Sequence, residues 1–437
     1  MRYVFHARAI ALATATVLSG MLAGVGTEAG MAQAATTSGK ARITWWIPSP
    51  SPIPGTLHAA ARRFTQKTGI KVNVQSIPWS TYLTKITTAI TSGVGPDLME
   101  IGNTWAPTFA VSGGFVPWTP KMFHAIGGKN RFLATSMKVT TAPGKPIISV
   151  PFLGQTWLLE YNKIMFRKAG IASPPTTWAA FVADAKKLSH PSKGIYGAAA
   201  PIGANSALQT WDWILFRQEG GHYYRHGKPS ITSAADVNTL TNFVRWVYPD
   251  RIVNPALVAD STGTLCTTEF ERGRAAMLLT QNPQQAVTDP SKYGIGYVPL
   301  PVKIPVGGAK IMSHIAGENL AIFKNSKHLS EDLAFIKFLT SPAQQEQINK
   351  NMYELPVTHA GLNTPYFRKP AESRFGHILA KYAAPMPTEP SSATLFNDVG
   401  AATISLLRDD VSAHHITPAQ VRSALNSAEQ TVLASGG

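Results

Sequence analysis

The sequence predicts an α/β protein built on a largely parallel sheet. Short β-branched and aromatic runs alternate with helically spaced segments between residues 43 and 101, and the alternation resumes between residues 243 and 339. With 437 residues, 44% of them hydrophobic, the chain can bury a sizeable core. At ~100–200 residues per domain it has room for two to four domains.

The elements follow in order. Ile43-Thr44-Trp45-Trp46-Ile47 is a strand-forming run stopped by Pro48, Pro50, Pro52 and Pro54. Residues 55–68 carry Leu57, Ala60, Ala61 and Phe64 at helical spacing; Gly69 ends that helix, and Ile70 to Val74 alternates as a second strand. Trp79 to Thr91 reads as helix, closed by Gly93 and Gly95, and Asp97 to Ile101 reads as a third strand. Strand, helix, strand, helix, strand over so short a span is a βαβ series, which requires parallel pairing. Further on, Phe243–Val247 and Leu329–Leu339 read as helices, and Ala275–Thr280, Tyr293–Val298 and Asn319–Phe323 as strands. No internal repeat, heptad run or long linker interrupts the chain.

The N-terminus carries an address. Arg2, His6 and Arg8 precede an uncharged stretch from Ala9 to Gly26, and small residues then lead to the A-x-A pattern Ala32-Gln33-Ala34. Residues 1–34 read as a signal peptide and 35–41 as a flexible leader. A membrane anchor is the alternative, but the stretch is interrupted by Gly20, Gly24 and Gly26 and falls short of the ~20 strongly apolar residues a spanning helix wants. No cysteine stands at the cleavage site, so a lipid anchor is not indicated. The mature protein is expected outside the cytoplasm, secreted or periplasmic.

Charge and chemistry exclude more than they assign. Forty Lys and Arg against 24 Asp and Glu give +16, of which +15 remains once Arg2, Arg8 and Glu28 leave with the signal. The basic residues are dispersed, with no aromatic-interleaved stripe, so nucleic acid is not an expected partner. The excess could still attract anionic wall polymers, lipid headgroups or solutes. Cys266 is the single cysteine, which rules out an internal disulfide or a Cys-rich metal site. The chain has no GxSxG, GxxxxGK[ST], HExxH, GxGxxG or CxxC motif, and neither a metal nor a cofactor is expected. His222 and His226 lie among Gly220, Gly221, Tyr223, Tyr224 and Gly227, which points to a polar hairpin rather than a metal site.

Several segments, in order, resemble one family. They are Phe64-x3-Thr68-Gly69-Ile70-x-Val72, Gly95-Pro96-Asp97-Leu98, Trp105-x3-Phe109-Ala110-x2-Gly113-Gly114, and Tyr161-Asn162-Lys163-x5-Ala169-Gly170-Ile171 followed by Pro174 to Trp178. Phe270-x2-Gly273-x-Ala275-Ala276-Met277, Phe335 to Pro342 and Leu355-Pro356-Val357 complete the set. Their order and spacing resemble the extracellular solute-binding proteins of ABC importers, in the carbohydrate-binding family that includes maltose-binding protein. That resemblance implies a two-lobed periplasmic-binding-protein-like (type II) fold with a hinge and a central cleft. It implies a first lobe of residues 42–152 plus 300–342 and a second of 153–299 plus 343–437. It also implies a monomer that captures a small carbohydrate without covalent chemistry and hands it to the membrane permease of an importer.

Candidate contacts follow from strand ends and from the resemblance. In open parallel sheets ligands sit beyond the carboxyl ends of strands, which singles out Asn103, Thr104 and Trp105 after the third strand, and Trp46 and Ser49 at the end of the first. Trp105 could equally be core. Gln155 and Trp157 lie at the first crossing between lobes. Trp211, Asp212 and Trp213 begin a helix of the second lobe; alternate tryptophans cannot share one helix face, so one of them could offer a stacking platform instead of core packing. Gln281, Asn282 and Gln284 occupy the place where the family has a ligand loop. His314, Gly317 and Glu318 lie at the glycine-containing turn that the family often uses. Amides and carboxylates there suit sugar hydroxyls, whose burial unpaired costs ~1–3 kcal/mol each.

Three rivals stand beside neutral-sugar capture. A sugar-phosphate or glycerol-phosphate ester would need converging Arg or Lys in the cleft. An exported polysaccharide hydrolase would need two cleft carboxylates at a defined separation, and Asp97, Asp212 and Glu318 fall in different elements. A wall-adsorbed adhesion protein would use the net charge alone.

Overall fold

The computed structural model describes residues 41–49, 55–281, 294–299 and 311–434. The expected signal peptide, the leader before Ala41, Asn282, Gln284 and the expected crossing at residues 300–301 lie outside them.

The strands are β1 (Arg42–Ser49), β2 (Lys71–Pro78), β3 (Leu98–Gly102), β4 (Val150–Gln155), β5 (Leu158–Asn162), β6 (Tyr224–Arg225), β7 (Lys228–Pro229), β8 (Met277–Thr280), β9 (Ile295–Pro299), β10 (Ser313–His314), β11 (Ala316–Ile322), β12 (Leu355–Pro356) and β13 (Ala383–Ala384). Two sheets divide the molecule into two lobes. The first lobe holds a six-stranded sheet in the order β12-β4-β11-β3-β1-β2, and the second a three-stranded sheet in the order β8-β5-β9.

The βαβ series builds half of the larger sheet as expected. β1 lies between β2 and β3, parallel to both. The helix Thr56–Thr68 crosses between β1 and β2 and buries Leu57, Ala60, Ala61 and Phe64, the residues whose spacing predicts it. Gly69 stops it in the left-handed region at φ 75°, which glycine adopts without the Cβ penalty. The other half departs from the parallel expectation. β11 returns antiparallel between β3 and β4, and β12 pairs antiparallel with β4.

The second lobe is mostly helical. Trp178–Leu188, Asn205–Gln218, Ala234–Val244, Ser392–Ala413 and Pro418–Ala434 enclose one large apolar core with β5 and β8. At its centre Trp178, Trp211 and Trp246 pack with ring centroids 5.5–5.9 Å apart. The helix expected over 243–247 lies earlier, at Ala234–Val244, where Ser233 and Asp236 form a capping box. Past Val244 the chain turns so that Trp246 enters the core.

The expectation that residues 343–437 belong wholly to the second lobe does not hold for their first part. Helix Pro342–Met352 and β12 join the larger sheet, with Ile348, Met352 and Val357 in that sheet's core. The reason is a buried amide. The Gln345 side chain donates to Phe152 O at 3.0 Å and accepts from Val357 N at 3.0 Å, stitching the helix to β4 and to the turn after β12. At the first crossing, Thr156 and Trp157 alone separate β4 in one sheet from β5 in the other.

Candidate ligand cleft

A cavity of about 280 Å³ opens where the strand ends of the larger sheet face the start of helix Asn205–Gln218. The first lobe lines it with Pro48, Trp79, Glu100, Gly102, Asn103 and Thr104, with Gln155, and with His314, Ala316, Gly317, Glu318 and Glu354. The second lobe adds Ser206, Ala207, Thr210 and Gln281. β3 therefore delivers its carboxyl end to the cleft, as the strand-end rule requires.

The positions are tightly built. Asn103 is buried, and its Nδ2 donates to Ile315 O at 3.0 Å, tying the turn after β3 to the segment between β10 and β11. Gly317 has φ 130°, and a Cβ there would stand 1.9 Å from Leu153 O, so only glycine permits this approach of β11 to β4. Gln155 Nε2 donates to Glu354 Oε1 at 3.2 Å, and Gln281 Nε2 donates to Thr210 Oγ1 at 3.4 Å. His314 is 1% exposed, with Nδ1 unpartnered, and burial pulls its pKa down to about 3, so the ring is neutral.

The chemical centre is a set of carboxyls. Glu318 on β11 stands opposite Gly102 of β3, which places Glu100, two residues back on the same face, diagonally beside it. Glu354 enters from the turn before β12. Each of the three has an Oε2 that is shut from solvent and lacks a hydrogen-bond partner. Burial pushes the Glu318 carboxyl up to about 8. Burial first and the Glu318 charge second hold Glu100 and Glu354 well above the ordinary carboxylate range. Near neutral pH Glu318 is therefore held mostly protonated, able to donate as well as accept, and Glu100 and Glu354 are pushed in the same direction.

Of the residues singled out in the sequence, the structure brings Asn103, Thr104, Gln155, Gln281, His314, Gly317 and Glu318 to the cleft wall. Others point elsewhere. Trp211, Asp212 and Trp213 lie in the middle of their helix, not at its start, and all three are buried in the second lobe, where the helix packs against Ser392–Ala413. Asp212 accepts from Tyr223 Oη at 3.1 Å inside that core. Trp157 is buried too, its Nε1 donating to Thr210 Oγ1 at 3.2 Å. Trp46 faces away from the cleft, donating to Gln75 Oε1 at 2.8 Å with the Lys85 ammonium 4.6 Å from its ring. Ser49 pairs with Pro78 on the β2 side of β1 and lies off the cleft wall. Trp105 stacks behind Trp79 with centroids 4.7 Å apart, and Trp79 is the indole on the cleft wall among the described residues. Asp97 is structural, accepting from Thr44 N at 2.8 Å and from Ser326 Oγ at 3.1 Å.

The reading from sequence missed Trp79, Glu100, Thr210 and Glu354. Glu100 did leave a signal: it is the one charge inside Leu98-Met99-Glu100-Ile101, where an apolar residue would be ordinary. The other three left none.

The model of the family described as bacterial extracellular solute-binding protein matches residues 48–346, more than half of the chain. The chain belongs to that family. Among its relatives, a binding protein of Brucella abortus is 24% identical over 323 residues, covering 73% of this chain and 75% of the relative. The maltose-bound MalE3 of T. maritima superimposes with a TM-score of 0.78 at 21% identity, covering 90% of this chain and 100% of that one. The GacH receptor of Streptomyces glaucescens, solved unliganded and with acarbose, gives 0.76 at 20% identity over 90% of this chain and 99% of its own. At these identities the likeness of structures establishes the fold, two lobes of a solute-binding protein around a cleft. Membership of the family places the protein outside the cytoplasm, and no helix among the described residues is long and apolar enough to cross a membrane.

Proposed function

We propose that this protein captures a mono- to oligosaccharide outside the cell by closing its two lobes on it, and presents it to the permease of an ABC importer. The observation that carries the reading is the lining of the cleft. It combines one partly exposed indole, Trp79, stacked on Trp105, with hydroxyls, amides and carboxyls that can donate or accept. A pyranose offers the same two surfaces, a C–H face and a ring of hydroxyls. Maltose in MalE3 and acarbose in the GacH receptor are ligands of the same type in the same fold.

Phosphate esters fit less well. No Lys or Arg stands among the described residues of the cleft wall, whereas three glutamates do. Covalent chemistry is also disfavoured, and we infer that the protein is no enzyme. A glycosidase pair needs one carboxylate ionised at working pH, and burial pushes each of these carboxyls toward its protonated form. We further propose that residues 1–34 are removed on export, that no lipid anchor is added, and that the mature protein acts as a monomer.

The test is a thermal melt with neutral sugars, sugar phosphates and glycerol phosphodiesters. A ligand at a hundred times its Kd adds ~2.7 kcal/mol of stability, an easily read shift. A shift with a neutral sugar, without product formation, supports capture. A shift confined to phosphate esters, or release of a shortened sugar, contradicts it.

A further inference from the structure

We propose that the solute of this cleft carries a protonated amine among its hydroxyls, with the ammonium seated between Glu100, Glu318 and Glu354 on the first-lobe side. The inference rests on the carbohydrate reading and narrows it to basic sugars.

The chain carries 40 basic residues and 24 acidic ones, so a cavity wall drawn at random would lean basic. This wall instead gathers three glutamates and, among its described residues, no lysine or arginine. They arrive on β3, on β11 and on the turn before β12, so no single element brings them together by local spacing.

Leaving these carboxyls so placed has a cost. Glu100 is 1% exposed and Glu354 4%, and the Oε2 of each, like that of Glu318, is buried without a partner. A buried polar atom left unpaired is a standing penalty that a ligand donor removes. Neutral hydroxyls need no such concentration of acid, since amides such as Gln155 and Gln281 serve them as well. An ammonium supplies three N–H donors and the charge that makes bonds to carboxylates shorter and stronger.

The surroundings agree. His314, the basic group beside the carboxyls, is held neutral by burial, so it brings no competing positive charge. A bare metal ion fits less well: among the described residues no group of three His, Cys, Asp or Glu is spaced to hold one. An ammonium reaches its acceptors at ~2.8 Å rather than the ~2.0–2.5 Å of a metal bond, so it tolerates a wider set. Across the cleft, Ser206 and Ala207 belong to the first turn of helix Asn205–Gln218, the positive end of its dipole. That end repels a cation and attracts hydroxyl oxygens, which orients the solute with its amine toward the first lobe.

Isothermal calorimetry of the full mature chain tests this with matched pairs: glucosamine against glucose, galactosamine against galactose, and the β-1,4 glucosamine dimer against cellobiose. At pH 6.5 the amine member of at least one pair should bind at least tenfold more tightly than its neutral twin. Its binding enthalpy should vary with the ionisation enthalpy of the buffer, because a carboxyl that rests protonated must give up its proton to face the ammonium. E318Q and E354Q should each shrink the amine-to-neutral ratio to about twofold or less, with unchanged far-ultraviolet dichroism as the check on folding. If the neutral twins bind as tightly as the amines, or no protons are released, the inference falls and the carbohydrate reading stands. If no member of any pair binds, both fall. Tight binding of calcium or magnesium alone would overturn it in favour of a metal site.

Discussion

Buried carboxyls occur in both lobes, and the two regions treat them differently. In the second lobe Asp212 lies inside the aromatic core, accepts from Tyr223 at one oxygen and leaves the other unpartnered, and it is not on the wall of the cleft. In the first, Glu100, Glu318 and Glu354 each keep one oxygen unpartnered and stand on the wall of an open cleft. Burial raises all four pKa values, so titration alone does not separate the two cases. Position does. Asp212 sits mid-helix between packed layers, whereas the glutamates sit where strands run out. A buried charge is a ligand group when the fold leaves space in front of it, and a structural one when it does not.

That contrast can be broken from either side. The largest effect is expected from Trp211→Ala, which empties the centre of the second-lobe core and should cost ~3–5 kcal/mol in urea denaturation. If this variant lost solute binding at near-native stability, Trp211 would belong to the site after all. Gly317→Ala comes next. Its Cβ would collide with the Leu153 carbonyl at a backbone angle that alanine rarely adopts, and roughly 3 kcal/mol of stability together with solute binding should be lost. A stable, binding-competent alanine variant would show that β11 can relax away from β4.

The carboxyls themselves give a pH test with a definite sign. Glu318 holds its proton up to about pH 8 when folded but releases it near its ordinary 4.5 when unfolded. The folded state therefore binds more protons between those values, and this group's contribution to stability is present at low pH and declines as pH rises toward 8. Asp212, pushed to about 7 from 3.8, behaves alike over the lower window. Against wild type, E318Q should gain relative stability up to pH 8 and D212N up to pH 7, read from urea midpoints at pH 5, 7 and 8.5. A relative loss with rising pH would reverse the assignment. The smallest effect is expected from Asn103→Ala, which removes the bond to the Ile315 carbonyl and should cost ~1–3 kcal/mol.

The fold was legible where pattern and local geometry coincide. The helix at 56–68 and its glycine stop follow from apolar spacing, and β1, β2 and β3 follow from β-branched runs between turn formers. The antiparallel return of β11 and the addition of β12 were not legible, since pairing direction depends on where the chain re-enters the sheet and not on the composition of the strand. The lobe assignment of residues 343–357 turned on one buried glutamine, Gln345, whose partners lie on two separate elements.

The candidate site divides the same way. Strand-end reasoning leads to Asn103, Thr104 and Gly317, because their place in the sheet follows from their place in the strand. Residue type misled at the tryptophans. Trp46, Trp157, Trp211 and Trp213 have the chemistry of a sugar platform but are buried in the cores, while Trp79, at the head of the second helix, supplies the partly exposed ring. Glu354 could not be found from sequence, because it reaches the cleft only once Gln345 has fixed its helix to β4.

Capture depends on the two lobes closing on a solute. Small-angle X-ray scattering on the mature protein, with and without the sugar that most raises its melting temperature, tests it most directly. The radius of gyration should be smaller when the sugar is bound. A sugar that binds tightly and leaves the scattering curve unchanged would contradict capture by closure.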